Sequence, residues 1–307
     1  MRNESLSSYA KVLLFSAEVA VLSELEQNLG KNVPHIRNRE LGAGIGIGFF
    51  GFIAENNHVI SLGLPNQGLD SLPESLGSLD NLQELWLYGN QLNSLPESFG
   101  LLKNLKDLYL SSNQLQSLPK SFGNLKKLDF LDLSHNQLSD LPEPICQLTN
   151  LQTLSLSANQ LKSLPEKFGR LRNLKELFLR ENQLRSLPES FGQLTLLFEL
   201  DLSKNRLNFI PESFSNLSKL RYFTFDKNPL SGTLAIFLHA RKGSIPLLYV
   251  PDSLLNHPLI QSLELDSLTL LANDSCPFCG TTKLITGCEK KTGRYLTFCA
   301  RCENRLQ

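Results

Sequence analysis

The stretch LQELWLYGNQLNSLPESFGLLKN, residues 82–104, is one of eight units on a 23-residue period. The units begin at Val59, Leu82, Leu105, Leu128, Leu151, Leu174, Leu197 and Leu220. A Leu-Pro pair, once Ile-Pro, marks each return, at Leu72, Leu95, Leu118, Leu141, Leu164, Leu187 and Ile210. The skeleton LxxLxLxxNxL is clearest at Leu82, Leu85, Leu87, Asn90 and Leu92. A unit this short cannot bury its apolar face alone. It must stack on its neighbours and supply one strand and one return segment to a continuous core. The end units drift, with Gln67 at the Asn position of the first and Phe223 and Phe225 replacing leucines in the last. Drift of that kind is expected where a unit has a single neighbour.

The leucines of the skeleton point inward. Leu76, Phe99, Phe122, Ile145, Phe168, Phe191 and Phe214 recur at one position and should form an aromatic-rich spine on the side away from the strands. Asn90, Asn113, Asn136, Asn159, Asn182, Asn205 and Asn228 form a second column. A buried Asn both donates and accepts, so it can satisfy backbone groups at the turn leaving each strand. Alternate strand residues face opposite sides, so those between the leucines line an exposed, concave sheet. They are Glu84, Trp86 and Tyr88, then Asp107 and Tyr109, then Phe130 and Asp132, then Thr153 and Ser155. Glu176, Phe178 and Arg180 follow, then Glu199, Asp201 and Lys204, then Tyr222, Thr224 and Asp226. The only Trp of the chain falls here, one strand from Tyr109. Aromatics flanked by acids on an open sheet have the make-up of a protein-binding patch, although aromatics also favour strands for their own pairing.

The repeats, residues 59–230, are flanked by three other regions. Residues 1–58 read as an N-terminal cap. It holds a helix over about 6–30 (Val12, Leu13, Val19, Leu22 and Leu25 at helical spacing) and a loop over Asn32–Gly44. A strand then begins at Ile45 and turns at Asn56-Asn57 into the first repeat strand. Residues 231–273 read as a C-terminal cap, with a short helix at Thr233–Lys242 and a strand near Ile260, Leu263 and Leu265.

Residues 274–307 hold five of the six cysteines. Cys276, Cys279, Cys299 and Cys302 make C-x2-C-x19-C-x2-C, two knuckles that can complete one thiolate tetrahedron. Strands around Lys283–Thr286 and Arg294–Phe298, with a turn at Lys290–Gly293, make this a zinc ribbon holding one structural Zn2+. Disulfides and a redox pair are the alternatives, and the latter lacks the βαβ setting it needs. Four thiolates leave no open coordination position for hydrolysis, and Cys288 is a spare. Lys283, Lys290, Lys291, Arg294 and Arg301, with Tyr295 and Phe298 among them, make the ribbon mildly basic.

Thirty Lys plus Arg balance thirty Asp plus Glu, so whole-chain attraction to nucleic acid or anionic lipid is not indicated. The longest apolar run, Gly42–Ala54, is too short to span a bilayer, and the charged N-terminus does not read as a secretory signal. Clustered rather than spread cysteines favour a reducing compartment, hence the cytoplasm. Gly42–Gly48 lacks dinucleotide-site spacing, and His35, His58, His135, His239 and His257 fall in no catalytic motif. Neither an enzyme nor a small-molecule substrate is expected.

The consensus LPESFGxLxxLxxLxLxxNQLxS resembles the Ras-group-type leucine-rich repeats of intracellular proteins, and those of many bacterial and archaeal proteins. FGFIAENNHVISLGL, with the stretch from NPLSGTLAIFLHARK to CPFCG, looks like a microbial subgroup carrying a C-terminal zinc ribbon. The resemblance implies an α/β solenoid, a leucine-rich repeat horseshoe with a concave parallel β-sheet, serving as a protein-interaction scaffold. Some relatives scaffold small GTPases. The alternative is a nucleic-acid-associated regulator whose basic ribbon touches RNA or DNA. Repeat motifs specify fold far more tightly than partner.

Overall fold

The computed structural model describes residues 6–36, 49–225 and 227–229 in full. It describes the strands at 247–249, 268–270, 285–288, 295–298 and 305–306 by their backbone. At the N-terminus the expected single helix is two structures. Leu6–Tyr9 (β1) and Val12–Phe15 (β2) pair as an antiparallel hairpin, and only Ser16–Leu29 (α1) is helical. The physical reason is the Ala10-Lys11 turn, where φ of 48° and 68° reverses the chain in two residues. α1 buries Val21, Leu22 and Leu25 and ends at Gly30, whose left-handed φ of 64° terminates the helix.

Gly51–Glu55 (β3) turns through Asn56 and Asn57, at φ of 50° and 67°, into His58–Gly63 (β4). This is the expected hairpin, but its first strand starts at Gly51; Ile45, Ile47 and Gly42–Gly48 lie outside the described residues. Glu18 of α1 ties the cap to β4. Its carboxylate, 2% exposed, accepts from the Val59 amide at 3.2 Å and meets His58 Nδ1 at 3.2 Å. Burial pushes Glu18 above the usual carboxylate range, and the His58 and Val59 contacts oppose the rise.

Each later unit adds one short parallel strand, Glu84–Trp86 (β5), Asp107–Tyr109 (β6), Phe130–Asp132 (β7) and Thr153–Ser155 (β8). Glu176–Phe178 (β9), Glu199–Asp201 (β10) and Tyr222–Thr224 (β11) continue the series. Register advances by one period per strand, so Leu62, Leu85, Leu108, Leu131, Leu154, Leu177, Leu200 and Phe223 stand side by side. A further parallel strand, Leu247–Tyr249 (β12), extends the sheet to ten, an addition the sequence reading did not anticipate.

Three columns hold the stack together. The return segments are 3-10 turns opened by proline; the amides of Phe99 and Phe122, for example, donate to Pro96 and Pro119. Their spine residues are fully buried, with Phe99–Phe122, Phe168–Phe191 and Phe191–Phe214 rings stacked at 5.7–6.1 Å. Burial of each such side chain contributes about 1.5–3 kcal/mol. The Asn column is buried as expected. Asn159 Oδ1 accepts from Leu138 N–H at 3.0 Å, and its Nδ2 donates to Leu133 and Leu156 carbonyls at 2.9 and 3.0 Å. Every other column member repeats this bridge to the preceding coil. Finally, the residue just before each Asn takes a left-handed φ, from Ser112, His135, Ala158 and Glu181 to Lys204 and Lys227. That turn aims its amide at the next coil, as when Ala158 N–H donates to Arg180 O at 2.8 Å.

Leu268–Leu270 (β13), Ile285–Cys288 (β14), Tyr295–Phe298 (β15) and Arg305–Leu306 (β16) form a separate antiparallel sheet. β14 and β15 pair with Ile285 opposite Phe298, close to where the sequence placed two strands. Cys276, Cys279, Cys299 and Cys302 lie outside the described residues, as do the expected helix at 233–242 and strand at 260–265. Among the described residues no helix is long and apolar enough to cross a membrane.

Candidate binding face

One face of the ten-stranded sheet packs on the leucine core and the other is open. The strands repeat a half-buried, buried, half-buried pattern, with Leu85, Leu108, Leu131 and Leu154 inward. Parallel register turns the outward positions into two straight columns. The first runs Ser61, Glu84, Asp107, Phe130, Thr153, Glu176, Glu199, Tyr222. The second runs Gly63, Trp86, Tyr109, Asp132, Ser155, Phe178, Asp201, Thr224.

Three expected aromatics meet as a row. Trp86 and Tyr109 stack nearly parallel, with centroids 5.5 Å apart and planes at 6°. Tyr109 and Phe130 are 4.7 Å apart and tilted. A fourth ring was missed by the sequence reading. Phe49, just before β3, meets Trp86 edge-on at 5.2 Å, and its backbone lies over Gly63, where a Cβ would come 1.8 Å from Phe49 O. That close approach is why Gly63 has no side chain to compete with Trp86. The cue in the sequence was a glycine at an outward strand position beside a pair of phenylalanines. Trp86 is thus part-covered from one side by the N-terminal segment, while all three strand aromatics remain half-buried. Tyr88 and Phe178 are also half-buried outward residues, but neither joins this row. A second aromatic pair, Phe198 against Tyr222 at 5.0 Å, lies toward the other end, with Phe198 41% exposed.

The acids of the face are held by neutral donors. The Ser61 hydroxyl donates to Glu84, the Thr153 hydroxyl to Glu176 at 3.1 Å, and the Ser134 amide to Asp132 at 2.9 Å. Asp201 accepts from the Ser203 amide at 2.8 Å and its hydroxyl at 2.6 Å. Asp107 is pushed up to about 6 by burial first, then by Glu84 and Asp129, against a smaller opposing pull from Lys106. Of the two expected cations of the face, Arg180 turns to Glu181 Oε1 at 3.4 Å and to Ser203 Oγ, and Lys204 meets the same Glu181 oxygen.

Two other arrangements flank this face. A shallow polar groove of about 560 Å3 lies where the strands begin, lined by Lys106, Lys127, Asp129, Gln152 and Lys175 among others. Glu18, His58 and Asp80 bring three ligand-type atoms within 4.8 Å of one another beneath α1. Their contacts with Val59 and Asn81 make them a latch between cap and first coil.

Comparison with known proteins bears on the repeats. A leucine-rich repeat region model matches residues 120–228, and a leucine rich repeat model matches 57–115 and 80–138. No curated protein matches the chain. Among solved structures, a leucine-rich repeat protein of Leptospira interrogans is 33% identical over 62% of this chain and 54% of its own, with a TM-score of 0.52. The PEPR1–AtPEP1 complex is similar at 27% identity over 70% of this chain and 31% of that one, with a TM-score of 0.56. The match therefore spans about half or less of either neighbour's length. Proteins built this way generally serve as non-enzymatic scaffolds for protein contacts. Residues 57–228 of this chain are a leucine-rich repeat solenoid.

Proposed function

We propose that this protein is a non-enzymatic interaction scaffold that binds a partner protein on the open face of its sheet. The observation that carries this reading is the row of Phe49, Trp86, Tyr109 and Phe130, flanked by Glu84, Asp107 and Asp132. A rigid sheet that displays stacked rings has already met the cost of ordering them, so a partner gains their apolar area without that loss. Trp and Tyr are the residues that most often dominate such contacts. The similarity to the PEPR1–AtPEP1 structure supports a role in binding a partner. The small GTPase implied by the repeat type would have to meet this row, and the cysteine distribution supports a cytoplasmic setting.

The test is affinity capture from the native cell with the full chain, compared with Trp86→Ala/Tyr109→Ala. Both side chains are outward and half-buried, so the double variant should keep its circular dichroism and melting profile. Loss of the captured partner is the expected result. Equal capture by the folded variant would remove the aromatic row from recognition.

For the C-terminal region, we infer one structural zinc held by Cys276, Cys279, Cys299 and Cys302. The antiparallel pairing of β14 with β15, between the two cysteine pairs in sequence, supports a ribbon. A bound zinc would tie the two knuckles together and make folding of this small segment depend on metal.

A further inference from the structure

Two carboxylates and an imidazole meet where the cap joins the solenoid, each from a different element. Glu18 comes from the first turn of α1, His58 opens β4, and Asp80 lies on the segment leading into β5. Their ligand-type atoms lie within 4.8 Å of one another. Glu18 is 2% exposed and the His58 side chain 28%, whereas Asp80 stands in solvent, so the cluster reaches water through Asp80. Each of the three is aimed by a neighbour outside the cluster. The Val59 amide donates to Glu18 Oε2 at 3.2 Å, which leaves Oε1 turned to His58 Nδ1 at 3.2 Å. The Asn81 side-chain amide donates to Asp80 Oδ1 at 2.9 Å, and the Asp80 carbonyl accepts from Asn104 at 2.7 Å. Phe15 packs on the His58 ring at 4.4 Å. Outer contacts of this kind are what direct ligands toward an ion. The protein's own groups leave the cluster in conflict. His58 Nδ1 also meets the Asn81 Nδ2 donor at 3.0 Å. One ring nitrogen cannot serve both neighbours. Protonated, it donates to Glu18 and opposes the Asn81 donor; bare, it accepts from Asn81 and sets its lone pair against Glu18. Glu18 and Asp80 add two like charges, and among the described residues neither is paired with a Lys or Arg.

We propose that Glu18, His58 and Asp80 bind one divalent first-row transition cation, which staples the cap to the first coil. Two donors 3.2 Å apart, each about 2.1 Å from one ion, subtend roughly a right angle there, as adjacent ligands of a single ion do. The exposed Asp80 side chain supplies the third position by a small rotation, and water fills the rest. An imidazole beside two carboxylates suits Mn2+, Fe2+ or Zn2+. Mg2+ and Ca2+ prefer oxygen alone, and Cu+ prefers sulfur. The ion takes the lone pairs of Nδ1 and Oε1 together, offsets the two acidic charges, and leaves Asn81 to hold Asp80. Because the three ligands come from elements that meet only on folding, binding stabilises the folded chain by mass action.

The probe is Mn2+, a hard ion that thiolates hold poorly, so the cysteines of residues 274–307 do not compete for it. Titration of the full chain, followed by loss of the free-ion electron paramagnetic resonance signal, should show one saturable site. Saturating Mn2+ should also raise the melting temperature. Asp80→Asn changes an exposed side chain and keeps its shape, so without Mn2+ it should melt at or above the parent's temperature. It should nevertheless weaken Mn2+ binding at least about tenfold. His58→Gln should weaken it likewise, and Cys276→Ser should leave it unchanged. No saturable binding up to about millimolar Mn2+ overturns the proposal. So does binding that either Asp80→Asn or His58→Gln leaves intact, or that Cys276→Ser abolishes.

Discussion

Asn159 shows how much a single side chain carries in this fold. One amide group serves three buried backbone partners on two coils, and each would cost about 1–3 kcal/mol if left unmet. Its column was legible because only Asn combines the needed donor and acceptor at that length. The neighbouring left-handed position was not legible. Gly89, Ser112, His135, Ala158 and Glu181 share no residue type, because the corner is enforced by inter-coil hydrogen bonds and not by local preference. Asp107 belongs to the same scale. Its ordinary value is 3.8 and its folded value is about 6, so between these pH values the unfolded chain is ionised while the fold still holds the proton. Raising the pH through this window therefore favours unfolding, and the penalty is complete above it. Asp107→Asn should raise the urea midpoint relative to the parent chain at about pH 7.5, with the gap closing toward about pH 4. A gap that stays constant across the window would remove Asp107 as its source.

Among the elements, the eight repeat strands were legible because alternation and period agree, and the cap was legible only in outline. Val12 and Leu13 fit a helical stripe as well as a strand, and the Ala10-Lys11 turn lacks the Asn or Gly that usually announces a two-residue hairpin. The matching Asn56-Asn57 turn has that chemistry and was read correctly. Phe49 was invisible because a ring that lies across a sheet from outside it leaves no periodic trace. In the return segments, the glycine after the spine residue marks where successive 3-10 turns touch. A Cβ at Gly100 would meet Ser121 O at 2.4 Å, and one at Gly192 would meet Ser213 O at 2.2 Å. Cys146 occupies the same position one coil later than Gly123, and the turn that follows it is shortened to Phe168–Arg170. Burial pushes the Cys146 thiol up to about 11, which makes it a packing group. Gly192→Ala should lower stability by about 1–3 kcal/mol through this backbone overlap, read as a shift in denaturant midpoint. Tolerance of the methyl without loss would mean that the turns are not in contact there.

At the scale of the whole molecule, the solenoid is a stack whose ends need covering. α1 and the β3–β4 hairpin close the first coil, with Glu18 as the anchor, and β12 extends the sheet beyond the last. The cysteine-rich end is a separate sheet whose metal was inferred from spacing alone. Purified full-length chain should carry one zinc, measured by elemental mass spectrometry under reducing, chelator-free conditions, and Cys276→Ser should lower that occupancy. Less than about half an equivalent in the parent chain would argue against a four-thiolate centre.

The left-handed corner carries a last consequence for how such a protein can change over generations. Backbone hydrogen bonds between coils and the buried Asn that follows hold that bend, so the side chain at the corner differs from coil to coil along the rim, as His135, Ala158, Glu181 and Lys204 do. Mutations there can retune what the surface attracts while the framework beneath stays the same. The molecule can acquire new tastes without first risking its ability to fold.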